Sequence, residues 1–212
     1  MKARLEKLLF EAGIGMALFL DFAVGVLIVA AMSVTCGVEV QVWQVLSGGI
    51  RALVPDFDIA WQIFRGKYEG LEEHHTTWMH RPLFLLPVAT FASWWFEGTF
   101  WAIVTFLCVF WHFVHDTKGF GDDDLTWFRW RGKEWSLFGP RDRWSPIPLE
   151  HWLKTKWLVP SNRSLWEIAI GSVALAIGIG IHYGVQIGLL LAALVWGGTI
   201  IVWLTHHFIP KK

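Results

Sequence analysis

Apolar runs of roughly membrane-spanning length punctuate this chain, and the polar residues collect between them. Gly13 to Ser33 is the first, close to the ~20 residues a helix needs to cross a bilayer core, with only Asp21 interrupting it. Val38 to Val54 is weaker, because Glu39, Gln41, Gln44 and Arg51 intrude and Gly48-Gly49 loosens it. Pro55 closes that run: proline has no amide to continue a helical ladder and biases the residue before it away from helix. Pro82 to Phe96 and Thr99 to Val114 are separated only by Glu97-Gly98, which predicts a tight helical hairpin. Leu165 to Tyr183 and Ile187 to Thr205 form a second pair, broken near Gly184. Ahead of them all, Met1 to Phe10 carries Lys2, Arg4, Glu6 and Lys7 among leucines and suits an interfacial entry helix.

Two polar stretches remain, 56–81 and 116–164. In the second, Thr126 to Trp130 and Glu134 to Phe138 flank Arg131-Gly132-Lys133 and read as two short strands around a glycine turn. Its tryptophans, Trp127, Trp130, Trp135, Trp144, Trp152 and Trp157, suit the headgroup level of a bilayer. Residues 117–164 are therefore expected to form a Trp-rich cap on the membrane, containing a β-hairpin.

Composition agrees with the pattern. With 54% hydrophobic residues and 16 Trp in 212 residues, and a mean hydropathy of +0.43, the chain is too apolar and aromatic for an ordinary soluble domain. The expectation is one all-α membrane domain over 1–212, a polytopic transmembrane helical bundle. The formal charge of +0 says nothing about an acidic or basic partner, and no nucleic acid is expected. Cys36 and Cys108 both lie in or beside apolar runs, which leaves neither a disulfide framework nor a thiolate zinc knot.

The distribution of charge sets the number of spans. If Val38 to Val54 crosses, there are six spans, and all 18 Lys and Arg lie on one side or at that end of a span. That is the positive-inside pattern, so both termini are expected on the cytoplasmic side of a cell (inner) membrane.

Three polar clusters carry candidate chemistry. His112, His115 and Asp116 stand at i, i+3 and i+4, on one helical face near a helix end whose partial negative charge favours a cation. Asp56 and Asp58 follow a proline; on an extended segment, residues two apart point the same way. His75 and His80, five apart, diverge by about 140° on a helix. His75 is therefore read in the connection, with His74 as its solvated neighbour, and His80 just ahead of Pro82. Arg81 then falls at a helix N-terminus, a place suited to a substrate phosphate or carboxylate. Each cluster alone has an ordinary reading: an interfacial Pro-Asp turn, or a histidine paired with an aspartate. On the six-span topology all three fall on the cytoplasmic side, which favours one metal site built from Asp56, Asp58, His75, His80, His112 and Asp116.

These residues also resemble a known family, the predicted membrane-bound metal-dependent hydrolases of the YdjM-like inner-membrane type. Its pattern is a Leu-Pro-Asp-x-Asp turn, a His-x4-His pair, a His-x3-Asp pair, and a Thr-Pro-x-Gly stretch leading to a Trp-Pro-like turn. Here these match Val54-Pro55-Asp56-Phe57-Asp58, His75 to His80, His112 to Asp116, and Thr117-Lys118-Gly119 leading to Leu137-Phe138-Gly139-Pro140. The likeness covers roughly residues 50 to 140. The chain departs from it in having Thr76-Thr77 and Arg81, and in lacking an early His in the first helix, where it offers Glu6, Lys7 and Glu11.

The resemblance implies a metal-dependent hydrolase. The donor set independently suits one or two Zn²⁺ or Mn²⁺ ions, with Asp58 or Asp116 taking a proton from water and Arg81 holding an anionic substrate. Glu11, His74 and His115 are outer candidates. A site at headgroup depth makes phosphoesters, including membrane lipids, the expected substrates. The alternatives are a structural metal site without catalysis and a metal-free scaffold. Asp21 is expected to make a structural polar contact, Asp122-Asp123-Asp124 to be a solvated turn, and His206-His207 to sit at the interface.

Overall fold

In the computed structural model the structure describes residues 2–58, 61, 77–116, 127–130, 133–136, 139–140 and 162–208. The body is helical. Among the described residues the helices are α1 Lys2–Cys36, α2 Val42–Ala52, α3 Pro82–Glu97, α4 Thr99–His115, α5 Asn162–Tyr183 and α6 Val185–Phe208, with 3-10 turns at Val54–Asp56 and Trp78–His80. The Trp-rich stretch carries a small antiparallel sheet of β1 Phe128–Trp130, β2 Lys133–Ser136 and β3 Gly139–Pro140. Phe128 pairs with Trp135, Arg129 with Glu134 and Trp130 with Lys133. Asp122-Asp123-Asp124 and most of 117–164 lie outside the described residues.

One stretch, Leu18–Cys36, is by length and composition long and apolar enough to cross a membrane; Thr99–His115, Glu167–Tyr183 and Val185–Gly198 are shorter apolar helices. The weak run Val38 to Val54 contains α2 alone, whose 11 residues extend about 16 Å, roughly half of a bilayer's hydrocarbon core.

Contacts divide the chain into two compact units, Met1–Leu46 with Ile147–Lys212, and Ser47–Pro146. In the first, α1 packs on α5 and α5 on α6. Gly171 and Gly178 of α5, seven apart and so on one helical face, allow the approach to α1. A Cβ on Gly178 would lie 3.1 Å from the Leu27 backbone, and one on Gly171 2.8 Å from the Phe19 ring. Ala23, Val26, Val29 and Ala30 of α1 and Ile168, Leu175 and Ile179 of α5 are buried there, as is Asp21. Ser33 Oγ donates to Ala30 O at 2.8 Å and meets His182 Nε2 at 2.8 Å, which ties α1 to the end of α5. Gly184, at φ +90°, then turns the chain into α6.

The second unit is built on the α3–α4 hairpin. Gly98 sits at φ +91°, a conformation that side-chain-bearing residues avoid, and it ends α3 and starts α4 within a single residue. Leu85 and Leu86 of α3 meet Val109 and Phe113 of α4, with Val54, Met79, Ala89, Phe110 and Trp127 packed around them. Near the turn, Arg51 grips the hairpin. Its Nη1 and Nη2 donate to Glu97 Oε2 at 2.9 Å and Oε1 at 2.6 Å, a fork matching both carboxylate oxygens. Nη1 also donates to Thr105 Oγ1 at 2.6 Å and Ser93 Oγ at 3.2 Å, and the guanidinium carbon lies 4.9 Å from the Trp101 ring centre.

Candidate metal centre

The site lies at the end of the second unit away from Gly98, and three short pieces of chain build it. Pro55, buried, starts the 3-10 turn Val54–Asp56, and Asp56 N donates to Leu53 O at 3.0 Å. The second piece begins at Thr77, in extended conformation, and tightens into the turn Trp78–His80. Arg81 is extended again at φ −105°, ψ +102°, as the position before a proline favours. This places His80 in the interior, fully buried. The third piece is the last turn of α4. There Asp116 N donates to His112 O at 2.9 Å, and the i, i+4 spacing brings the two side chains together.

Four donor atoms converge. His80 Nε2 lies 3.4 Å from Asp56 Oδ1 and 3.8 Å from Asp116 Oδ2; His112 Nε2 lies 3.6 Å from Asp56 Oδ1 and 3.0 Å from Asp116 Oδ2. Asp56, His80 and His112 each offer a donor atom within 4.8 Å of the others. With metal–ligand bonds of about 2.1 Å, neighbouring donors in a tetrahedral shell are about 3.4 Å apart, and the four separations bracket that value. Three of them exceed the usual hydrogen-bond range, so direct pairing is the poorer account of the spacing. Two carboxylates with two neutral imidazoles also match the charge of a divalent ion. The residues present therefore fit a divalent metal.

Phe113 is the floor of this group. Its ring centre lies 6.4 Å from that of His80 and 6.0 Å from that of His112, both edge-on. Trp127, from the Trp-rich stretch, packs edge-on against Phe110 at 6.0 Å and Phe113 at 6.3 Å. The imidazoles are thus set in an apolar wall that limits their rotation.

Not all the residues singled out from the sequence join the group. Asp58 is close by but faces the other nitrogen of His80, with Oδ2 3.6 Å from Nδ1. The expectation that Asp56 and Asp58 point one way rested on an extended segment. The chain here is helical instead: a 3-10 turn runs to Asp56, Phe57 is at φ −64°, ψ −18°, and Asp58 continues in helix. Residues two apart then diverge by roughly 200°. His115 stacks its ring on Trp111 at 5.9 Å and 8°. Arg81 is exposed at the start of α3, where the sequence placed it. His74 and His75 lie outside the described residues, as do the side chains of Glu11, His206 and His207.

Thr77 was read only as a departure from a family pattern, yet its Oγ1 donates to Asp58 Oδ2 at 2.6 Å. No local pattern signals this bond, because Asp58 lies 19 positions earlier in the chain. Comparison with protein families, curated proteins and solved structures returns no match.

Proposed function

We propose that the chain is an integral membrane metal-dependent hydrolase of the YdjM-like kind, acting on a phosphoester or lipid-like substrate at the cytoplasmic face. The observation that carries the reading is the convergence of Asp56, His80 and His112 to ligating distance, with Asp116 beside both imidazoles. With Asp56, His80 and His112 as its ligands, a bound Zn²⁺ or Mn²⁺ would keep a position open for water, and would supply an acidified nucleophile and positive charge for the substrate's anionic oxygens. Asp116, the more exposed of the two carboxylates in the group at 21% against 11% for Asp56, is the one placed to accept a proton from solvent-side water. Arg81 offers its guanidinium to the substrate's charge from the N-terminus of α3.

The membrane part of the reading is supported by helices that are apolar outside as well as inside. On α5, Ile170, Val173, Ile177 and Ile181 are exposed while Ile168, Leu175 and Ile179 are buried; α3 exposes Leu83, Val88, Phe91 and Trp95. A helix apolar all round belongs in a lipid phase or a large core. Together with the Lys and Arg pattern, from which Arg51 departs because Glu97 draws its guanidinium toward the Gly98 turn, this supports a six-helix bundle with both termini cytoplasmic.

The test is to purify the chain in detergent with Mn²⁺ or Zn²⁺ and assay soluble and lipid phosphoesters for the wild type, Asp56→Asn and His80→Ala. Metal-dependent turnover in the wild type alone is expected. Turnover that survives both substitutions, or none in the wild type, sinks the hydrolase reading. The complete burial of both imidazoles favours one second reading, a closed structural site. In that case the metal is retained at full occupancy with no exchangeable position for water.

A further inference from the structure

We propose that Asp58 is a positioning residue that orients His80 from behind its ring, that Thr77 holds Asp58 in place, and that Asp58 gives no donor to the ion. This rests on the metal-centre reading and assigns parts within it. The two nitrogens of His80 look in different directions. Nε2 faces Asp56 and Asp116, at 3.4 and 3.8 Å, whereas Nδ1 faces Asp58 Oδ2 at 3.6 Å. An imidazole that gives Nε2 to a cation keeps its proton on Nδ1. A carboxylate opposite that N–H selects this tautomer, sets the plane of the ring and increases the electron density at Nε2.

Asp58 is buried, so water does not dilute its effect. Its own direction is fixed in turn. Thr77 Oγ1 donates to the same Oδ2 that faces His80, at 2.6 Å. Thr77 also starts the turn that delivers His80, and accepts the His80 amide at its carbonyl at 3.2 Å. Side chain and backbone of one residue therefore tie together the imidazole and the carboxylate behind it. The 3.6 Å separation is about 0.6 Å longer than a direct hydrogen bond, so the pair guides the ring electrostatically and closes with a small rotation of either group.

Co²⁺, which reports its ligands through visible absorption, separates a donor from a positioning residue. The full-length chain in detergent micelles is titrated with Co²⁺ alone, as wild type and as Asp56→Asn, Asp58→Asn, Thr77→Val and Thr77→Ser. Asp58→Asn and Thr77→Val are expected to keep the wild-type stoichiometry and band shape while binding about 10- to 100-fold more weakly. Thr77→Ser, which restores the hydroxyl, should recover most of the loss. Asp56→Asn should change the band itself.

If Asp58→Asn alters the band as Asp56→Asn does, Asp58 is a ligand and the proposal is wrong. If Asp58→Asn and Thr77→Val both bind like the wild type, neither orients His80, and the proposal fails while the metal centre stands. A wild type that binds no Co²⁺ removes the centre and the proposal together. Far-ultraviolet circular dichroism on every variant ties a loss of affinity to the site rather than to the fold.

Discussion

Phe113 does the least visible work in the second unit and is the residue whose loss should be felt most widely. It is fully buried, touches the rings of both His80 and His112 edge-on, and takes part in the core with Leu85, Leu86 and Val109. Phe113→Ala is expected to destabilise the unit by about 3–5 kcal/mol. It should also weaken metal binding, because the imidazoles lose the wall that limits their rotamers. Phe113→Leu should keep most of the stability and recover less of the affinity, a difference that thermal melts and Co²⁺ titration on the same samples will separate. The candidate donors were legible in the sequence: His112 and Asp116 share a helical face by spacing alone, and Pro82 explains why His80 sits at a helix entrance. The split between Asp56 and Asp58 was not legible, since it depends on whether the residues after Pro55 continue in helix or run extended. A proline at the first turn of a new helical segment and one in an extended turn look the same in a list of residue types.

Between elements, the Arg51 fork deserves a measurement of its own. Arg51 on α2 holds Glu97 at the α3–α4 turn, with Ser93 and Thr105 completing the set. The hydrogen bond from Arg51 holds the Glu97 carboxyl below its ordinary value of 4.5; partial burial works the other way, and the Ser93 hydroxyl adds to the lowering. The sign follows: a carboxylate with a depressed pKa in the folded state contributes stability above its unfolded pKa. That contribution is lost as pH falls through the lowered folded value. Glu97→Gln should therefore melt below the wild type at neutral pH, with the gap closing as the pH falls well below about 4. A gap that stays constant across that range would show that the charge on Glu97 is not what counts. The sequence treated Arg51 as an intrusion that weakened the Val38 to Val54 run. Its purpose is tertiary, and its partners lie more than forty positions along the chain, beyond any local pattern. The breaks at Gly98 in the second unit and Gly184 in the first were legible because each is a glycine between two apolar runs. The packing of Gly188 against the Ala176 carbonyl was not, since periodicity does not say which glycine meets a backbone. Gly188→Ala should destabilise the first unit by roughly 1–3 kcal/mol, read as a lower melting temperature of the purified chain.

For the molecule as a whole, the helical class was legible in the apolar runs, and one stretch, Leu18–Cys36, is long and apolar enough to cross a membrane; the proposed number of crossings rests on charge and on runs of uneven strength. The short α2 shows why: a segment with Arg51 in it can be helical and packed without being long. A whole-chain consequence of the candidate centre is that metal and stability are linked. An ion at 100 times its dissociation constant adds about 2.7 kcal/mol to the folded state, so stripping it with a chelator should lower the melting temperature of the wild type. The same treatment should leave His80→Ala unmoved; an equal shift in both would place the effect elsewhere.

The three pieces that meet at the centre, the turn at Asp56, the turn at His80 and the end of α4 at His112, are far apart along the chain. An ion held by all three would act as a clasp. After a cut between Asp58 and Thr77, α1 on α5 and Arg51 on Glu97 would still hold the two fragments together, while the turn at Asp56 would stay docked on His80 and His112 only with the metal bound.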